Sequence, residues 1–143
     1  MRLFIEGSAY RPSVIFDLEK RYLRIDGMSS MPDSRQFYQN LMDWLLAHKS
    51  HIAPGTQLIM RLMYLNSGSH KALLNFFSEI SSENIPLSVT FIRTERLDNS
   101  EEVELLLQIC RQVGLSCKIQ SEDEHVGHLD GSSRPAEPNS DNN

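Results

Sequence analysis

Ser67 and His70 are the two residues whose types and spacing could support covalent chemistry, in the run Asn66-Ser67-Gly68-Ser69-His70-Lys71. A serine with an imidazole one helical turn away can serve as nucleophile and base. That reading also needs an acid to orient the histidine and a Gly-x-Ser-x-Gly elbow to expose the serine, and the sequence offers neither. The run also lacks the Gly-x-x-x-x-Gly-Lys-[Ser/Thr] of a phosphate-binding loop. His125 and His128 are close enough to share a metal, but no third ligand accompanies them. Cys110 and Cys117 have neither redox nor zinc spacing and read as reduced, buried thiols. No catalytic residues, cofactor or metal are expected.

The hydroxyls suit a second kind of chemistry, in which the serine is acted upon. If a helix begins near Ser67, its first backbone N–H groups are free and its dipole favours negative charge. A phosphate on Ser67 would meet those donors without melting the helix, and would add about −1.5 to −2 charges to the surface. Read from composition alone, the same residues are also what a plain helix cap and tight turn would select.

The elements that must hold this run follow from periodicity. Leu58–Leu65, "LIMRLMYL", is a nearly unbroken apolar stretch, as in a central strand covered on both faces. Its lone charge, Arg61, is expected to reach out past a sheet edge. After the polar run, Leu73, Phe76, Phe77 and Ile80 form a helical stripe. Upstream lie three short strands, Leu3–Glu6, Val14–Asp17 and Tyr22–Asp26, the last two close enough for a hairpin. Asp33 fits a helix N-cap with Gln36 in the capping-box position, and Phe37, Leu41, Trp44, Leu45 and His48 form the stripe behind it. Downstream, Leu87–Ile92 reads as a strand. Asn99 and Glu102 cap a third helix lined by Val103, Leu106, Leu107, Cys110 and Val113, which Gly114 stops, and Ser116–Gln120 is a last strand. The order βββαβαβαβ predicts an α/β domain: a central mixed sheet with about three helices packed on it.

Residues 1–120 carry 13 Lys/Arg and 13 Asp/Glu, while 121–143 carry one Arg against six acids. The expected organisation is one domain over 1–120 and a disordered acidic tail over 121–143, too poor in apolar residues to offset ordering entropy. A neutral domain is not a nucleic-acid footprint. No apolar run approaches the ~20 residues of a membrane span, and the N-terminus has too short an apolar stretch for a signal peptide. The expected location is the cytoplasm.

"LMYLNSGSHKALL" resembles the Tyr-x-Asn-Thr-Ser-Ser-x-Lys segment of the SiaC-type regulatory phosphoproteins of bacterial biofilm signalling. "IDGMSSMPDSRQFYQNLMDWL" is similar to that family's Gly-x-Ser-x-Pro-Glu, Phe-Tyr and Trp-bearing helix, through Gly27, Pro32, Phe37, Tyr38, Asp43 and Trp44; Pro12 and Asp17 also fit. The resemblance implies an STAS-like domain (the fold of anti-sigma-factor antagonists) and a non-enzymatic, partner-switching role in c-di-GMP signalling. A serine/threonine kinase would phosphorylate the acceptor, a PP2C-type phosphatase would reverse this, and the unphosphorylated form would bind and activate a diguanylate cyclase. By position the acceptor becomes Ser67 where the family usually has threonine. Gly68 replaces the following serine, which leaves Ser69 as a rival acceptor. Tyr64, Asn66, Gly68, Ser69, His70 and Lys71 become the residues that meet kinase or partner. The alternative is a constitutive scaffold of the same fold without phosphoregulation.

Overall fold

A computed structural model describes residues 1–122. Six strands form one sheet in the order β1(Arg2–Ile5), β2(Ser13–Asp17), β3(Tyr22–Ser29), β4(Thr56–Leu65), β5(Leu87–Arg93), β6(Cys117–Ser121). β1, β2 and β3 are antiparallel neighbours, and β3 through β6 run parallel. The three parallel steps are made through α1(Ser34–Ala47), α2(Ser67–Ser82) and α3(Ser100–Gln112). Every expected element is present, with each strand within one or two residues of its expected ends except for the extension of β3 to Ser29. β4 is central, between β3 and β5.

Alternation along the strands decides where the core lies. Val14, Phe16, Leu23, Ile25, Leu58, Met60, Leu62, Val89 and Phe91 face the helices and share one cluster with α1, α2 and α3. The stripes foreseen on α2 and α3 are buried apart from half-buried Val113. On α1 the buried arc is rotated: Tyr38, Leu41, Met42 and Leu45 go inside, whereas Phe37, Trp44 and His48 are only half-buried. α1 packs on α2 as well as on the sheet, with the Tyr38 and Phe76 ring centroids 5.9 Å apart. Trp44 instead lies at the margin, against Phe16 at 5.6 Å and His48 at 4.2 Å.

The sheet face opposite the helices carries the charges. Arg61 does not reach past an edge: it lies on central β4 opposite Asp26 of β3 and donates to that carboxylate at 2.8 Å, while Arg24 donates to it at 2.7 Å. Arg61 Nε also lies 3.1 Å from a Glu122 carboxylate oxygen, but without the alignment of a hydrogen bond, so that this buried N–H has no bonded partner. The folded unit thus extends past the expected boundary at residue 120, through Ser121 in β6 to Glu122; residues 123–143, with His125 and His128, lie outside the described residues. Among the described residues no helix is long and apolar enough to cross a membrane, and no three potential metal ligands cluster. Cys110 is buried and Cys117 half-buried, both reduced; burial, with Cys117 beside it, pushes the Cys110 thiol well above its ordinary range.

Candidate functional site at the β4–α2 junction

A bulge prepares the junction. Gly27 pairs with Leu62, but Met28 pairs with Tyr64, so that Met63 is an extra residue in β4. One inserted residue exchanges the faces of everything after it. Leu65 therefore turns inward onto the core opposite Ser29, and Tyr64 turns out, 45% exposed. The opposing Gly27 has φ +130°, and a Cβ on it would stand 3.4 Å from Pro12 Cα, so glycine suits both the conformation and the close approach of the β1–β2 loop.

Asn66 then closes β4 and caps α2. Its backbone N–H donates to the Ser29 carbonyl at 3.0 Å, its Oδ1 accepts from Ser69 N–H at 2.8 Å, and its Nδ2 donates to the Met31 carbonyl at 3.3 Å. One side chain thus satisfies a first-turn donor and ties α2 to the β3–α1 loop. Ser67 is the first helical residue and is exposed. Its hydroxyl has no hydrogen-bond partner among the described residues, and neither its N–H nor that of Gly68 has an acceptor there.

Ser69 has the opposite environment. It is fully buried, with its hydroxyl donating to the Ser29 carbonyl at 2.9 Å and accepting from Ser29 Oγ at 2.7 Å. Tyr38 Oη completes the chain, 2.7 Å from Ser29 Oγ. With the Ser29 proton committed to Ser69, the tyrosine hydroxyl is the donor. Burial pushes the Tyr38 hydroxyl far above its ordinary range, so it remains a neutral donor. Ser69 therefore belongs to a buried hydroxyl relay joining β3, α1 and α2, and presents no surface.

The other residues of the run divide along the same line. Gly68 and Lys71 are exposed and His70 is half-buried, with its backbone N–H bonded to the Asn66 carbonyl at 3.0 Å. Tyr64 lies on the sheet face away from the helices. Gly68 leaves room for a neighbour: a Cβ there would come within 2.8 Å of Ser34 Oγ at the start of α1, and that hydroxyl would have to turn aside.

Ser29, Ser34 and the inward role of Tyr38 are what reading the sequence missed. The signal was "MSSMPDS", a second knot of small polar residues at a strand-to-helix junction. Its coupling to Ser69 spans 40 residues and has no local signature.

Comparison with known proteins bears on this arrangement. A family model described as "SiaC family regulatory phosphoprotein" matches residues 5–110. No curated protein matches. Among solved structures, SiaC of Pseudomonas aeruginosa is 22% identical with a TM-score of 0.68, covering 85% of this chain and 99% of that one. A structure of apo-SiaC from the same organism gives 24% and 0.66, covering 84% and 98%. A third, the diguanylate cyclase SiaD in complex with its activator SiaC, again from P. aeruginosa, matches at 25% and 0.65, covering 84% of this chain and 99% of that one.

Proposed function

We propose, from the fact that the chain belongs to the SiaC family of regulatory phosphoproteins, that it is a non-enzymatic partner switch controlled by reversible phosphorylation of Ser67. The observation that carries this is the contrast within one helical turn. Ser67 is exposed, unbonded and at the first position of α2, whereas Ser69 is fully buried in the hydroxyl relay. A kinase can reach the first hydroxyl and would have to unwind the helix start to reach the second. The rival acceptor is thereby disfavoured.

The output partner is a diguanylate cyclase, as for the P. aeruginosa relative that activates SiaD, and the protein works in cytoplasmic c-di-GMP signalling. The unphosphorylated form binds and activates; a serine/threonine kinase and a PP2C-type phosphatase set its level. Ser67, Gly68, His70 and Lys71 supply the contact surface with Tyr64 beside it, while Asn66 and Ser69 hold that surface from beneath. Residues 1–120 with the adjoining end of β6 form the regulatory unit, and the acidic segment that follows is an appendage. Phosphate would act by charge, bulk and the cost of desolvating a dianion at the interface, with the backbone kept in place by Asn66 and the relay.

The test is phosphorylation by the cognate kinase with ATP, mapping of the modified residue, and binding of the variants to the cyclase. Ser67→Ala should bind like the unmodified protein and Ser67→Asp about tenfold more weakly or worse, a difference of ~1.4 kcal/mol or more. Label on Ser69 alone would move the site. Equal binding by both variants would favour a constitutive scaffold.

A further inference from the structure

Two helices begin at this site. α1 starts at Ser34 and α2 at Ser67, and the two first turns meet where Gly68 faces Ser34. The N–H groups of Ser34 and Arg35 have no acceptor among the described residues, nor have those of Ser67 and Gly68. The Asp33 side chain takes only the Gln36 N–H, at 3.3 Å, and the Gln36 side chain turns away to Asn40, so the capping box is half made. Neither first turn contains an acidic residue. The positive ends of two dipoles therefore point toward one place.

A helix start alone is commonplace. What singles this place out is the Ser34 side chain. Ser34 retains 3% of its surface, and its hydroxyl has no hydrogen-bond partner among the described residues. It is directed at the first turn of α2, 2.8 Å from where a Cβ of residue 68 would stand. The residue is buried while its hydroxyl oxygen keeps a little contact with solvent, since Arg61 Nε is the only fully buried side-chain polar atom without a partner among the described residues. An unbonded hydroxyl so placed, with room left beside it by a glycine, is a donor within reach of an acceptor added to the neighbouring turn.

We propose that Ser34, with the free N–H groups of α1's first turn, receives the phosphate of phosphorylated Ser67, so that the modified side chain bridges α2 to α1. The proposal rests on Ser67 as acceptor and assigns a second helix to reading it. The phosphate oxygens accept from Ser34 Oγ and from backbone donors of both helices, while Arg35, exposed on α1, adds positive charge from the rim. The dianion is then held in one pose across the helix pair.

The experiment uses full-length protein with phosphoserine installed at position 67 by semisynthesis, so that no kinase is involved. Phosphorus NMR follows the ionisation of the phosphate, and amide NMR follows the backbone. The phosphate should ionise below the ordinary value of about 6, and the amides of Ser34, Arg35 and Gly68 should shift with it. In Ser34→Ala, the ionisation should rise toward the ordinary value. His70, Lys71 and Asp33 are common to both proteins, so the difference isolates Ser34. An Arg35→Gln control should retain the Ser34 dependence. Identical phosphate titrations in the two proteins, with Ser34 and Arg35 amides unmoved, would overturn the proposal; the amide titration of the parent protein decides alone if the variant does not fold. Failure of a kinase to label Ser67 would overturn the proposed switch and leave this result standing.

Discussion

α2 and α3 each follow a parallel strand, and each has an asparagine at its N-cap, Asn66 and Asn99. The two asparagines are used in opposite ways. Asn66 turns its side chain onto its own helix and is bound to Ser69 N–H and the Met31 carbonyl. Asn99 is fully buried and makes no cap: its amide donates to the Leu62 and Ile92 carbonyls, both at 3.0 Å, and its oxygen accepts from Thr94 N–H at 3.0 Å. It fastens the ends of β4 and β5. The cap of α3 passes to Asp98, which accepts from Ser100 N–H at 3.1 Å, and Glu101 and Glu102 fill the first turn with negative charge. A local cap leaves the next residue exposed with free donors, fit to carry a phosphate. A cap diverted into the core makes the junction structural. Residue type and topological position are the same; what the amide group touches makes one junction a candidate site and the other a fastener.

The comparison can be broken most directly at Asn99. Asn99→Ala orphans two carbonyls and one N–H in a buried place and should cost about 2–4 kcal/mol in urea unfolding. A loss below ~1 kcal/mol would mean that β4 and β5 are held without it. Asn66→Ala should cost less, about 1 kcal/mol, and hydrogen exchange should rise mainly in the first turn of α2. Exchange rising through the whole sheet would make Asn66 a fastener too. At the α3 start, hydrogen bonds from the Ser100 side chain and then its backbone hold Asp98 below its ordinary 3.8. A carboxylate with a lowered folded pKa contributes stability above its unfolded pKa and loses it as pH falls through the folded one. The stability difference between this protein and Asp98→Asn should therefore be constant near neutrality and shrink as pH drops below about 4. A pH-independent difference would remove Asp98 from the cap. The smallest effect is expected from deleting residues 123–143, which leaves Glu122 and its contact with Arg61 in place. The melting temperature should stay within about 4 °C, and a larger fall would tie the acidic segment to the domain that carries both junctions.

The order and type of the elements could be read in the chain because periodicity reports burial residue by residue. Leu73, Phe76, Phe77 and Ile80 needed no partner to declare a helix face, and the run from Leu58 declared a strand inside the sheet. The junction was legible for the same reason: Asn66-Ser67-Gly68 sits where strand pattern changes to helix pattern, and the family resemblance marked Ser67 within it as the candidate acceptor. The α1 arc was misjudged because a stripe through Phe37 and one through Tyr38 both fit helical spacing, and only the hydrogen bond to Ser29 draws Tyr38 inside. Arg61 was misjudged because its partner Asp26 is 35 residues away.

By itself, then, the sequence determined an α/β chain, three helices with their starts and stops, and a hydroxyl-rich turn after the central strand. The tertiary structure decided which hydroxyl is reachable. Ser67 and Ser69 are two residues apart and chemically alike, and nothing local separates them. The separation comes from the bulge opposite Gly27, which aligns Leu65 with Ser29, and from α1, which brings Tyr38 and Ser34 against the start of α2. Helical periodicity is fixed by contacts within a few residues, whereas the burial of one hydroxyl beside another is fixed by chain closures of about 40 residues, and those exist only once the sheet has formed.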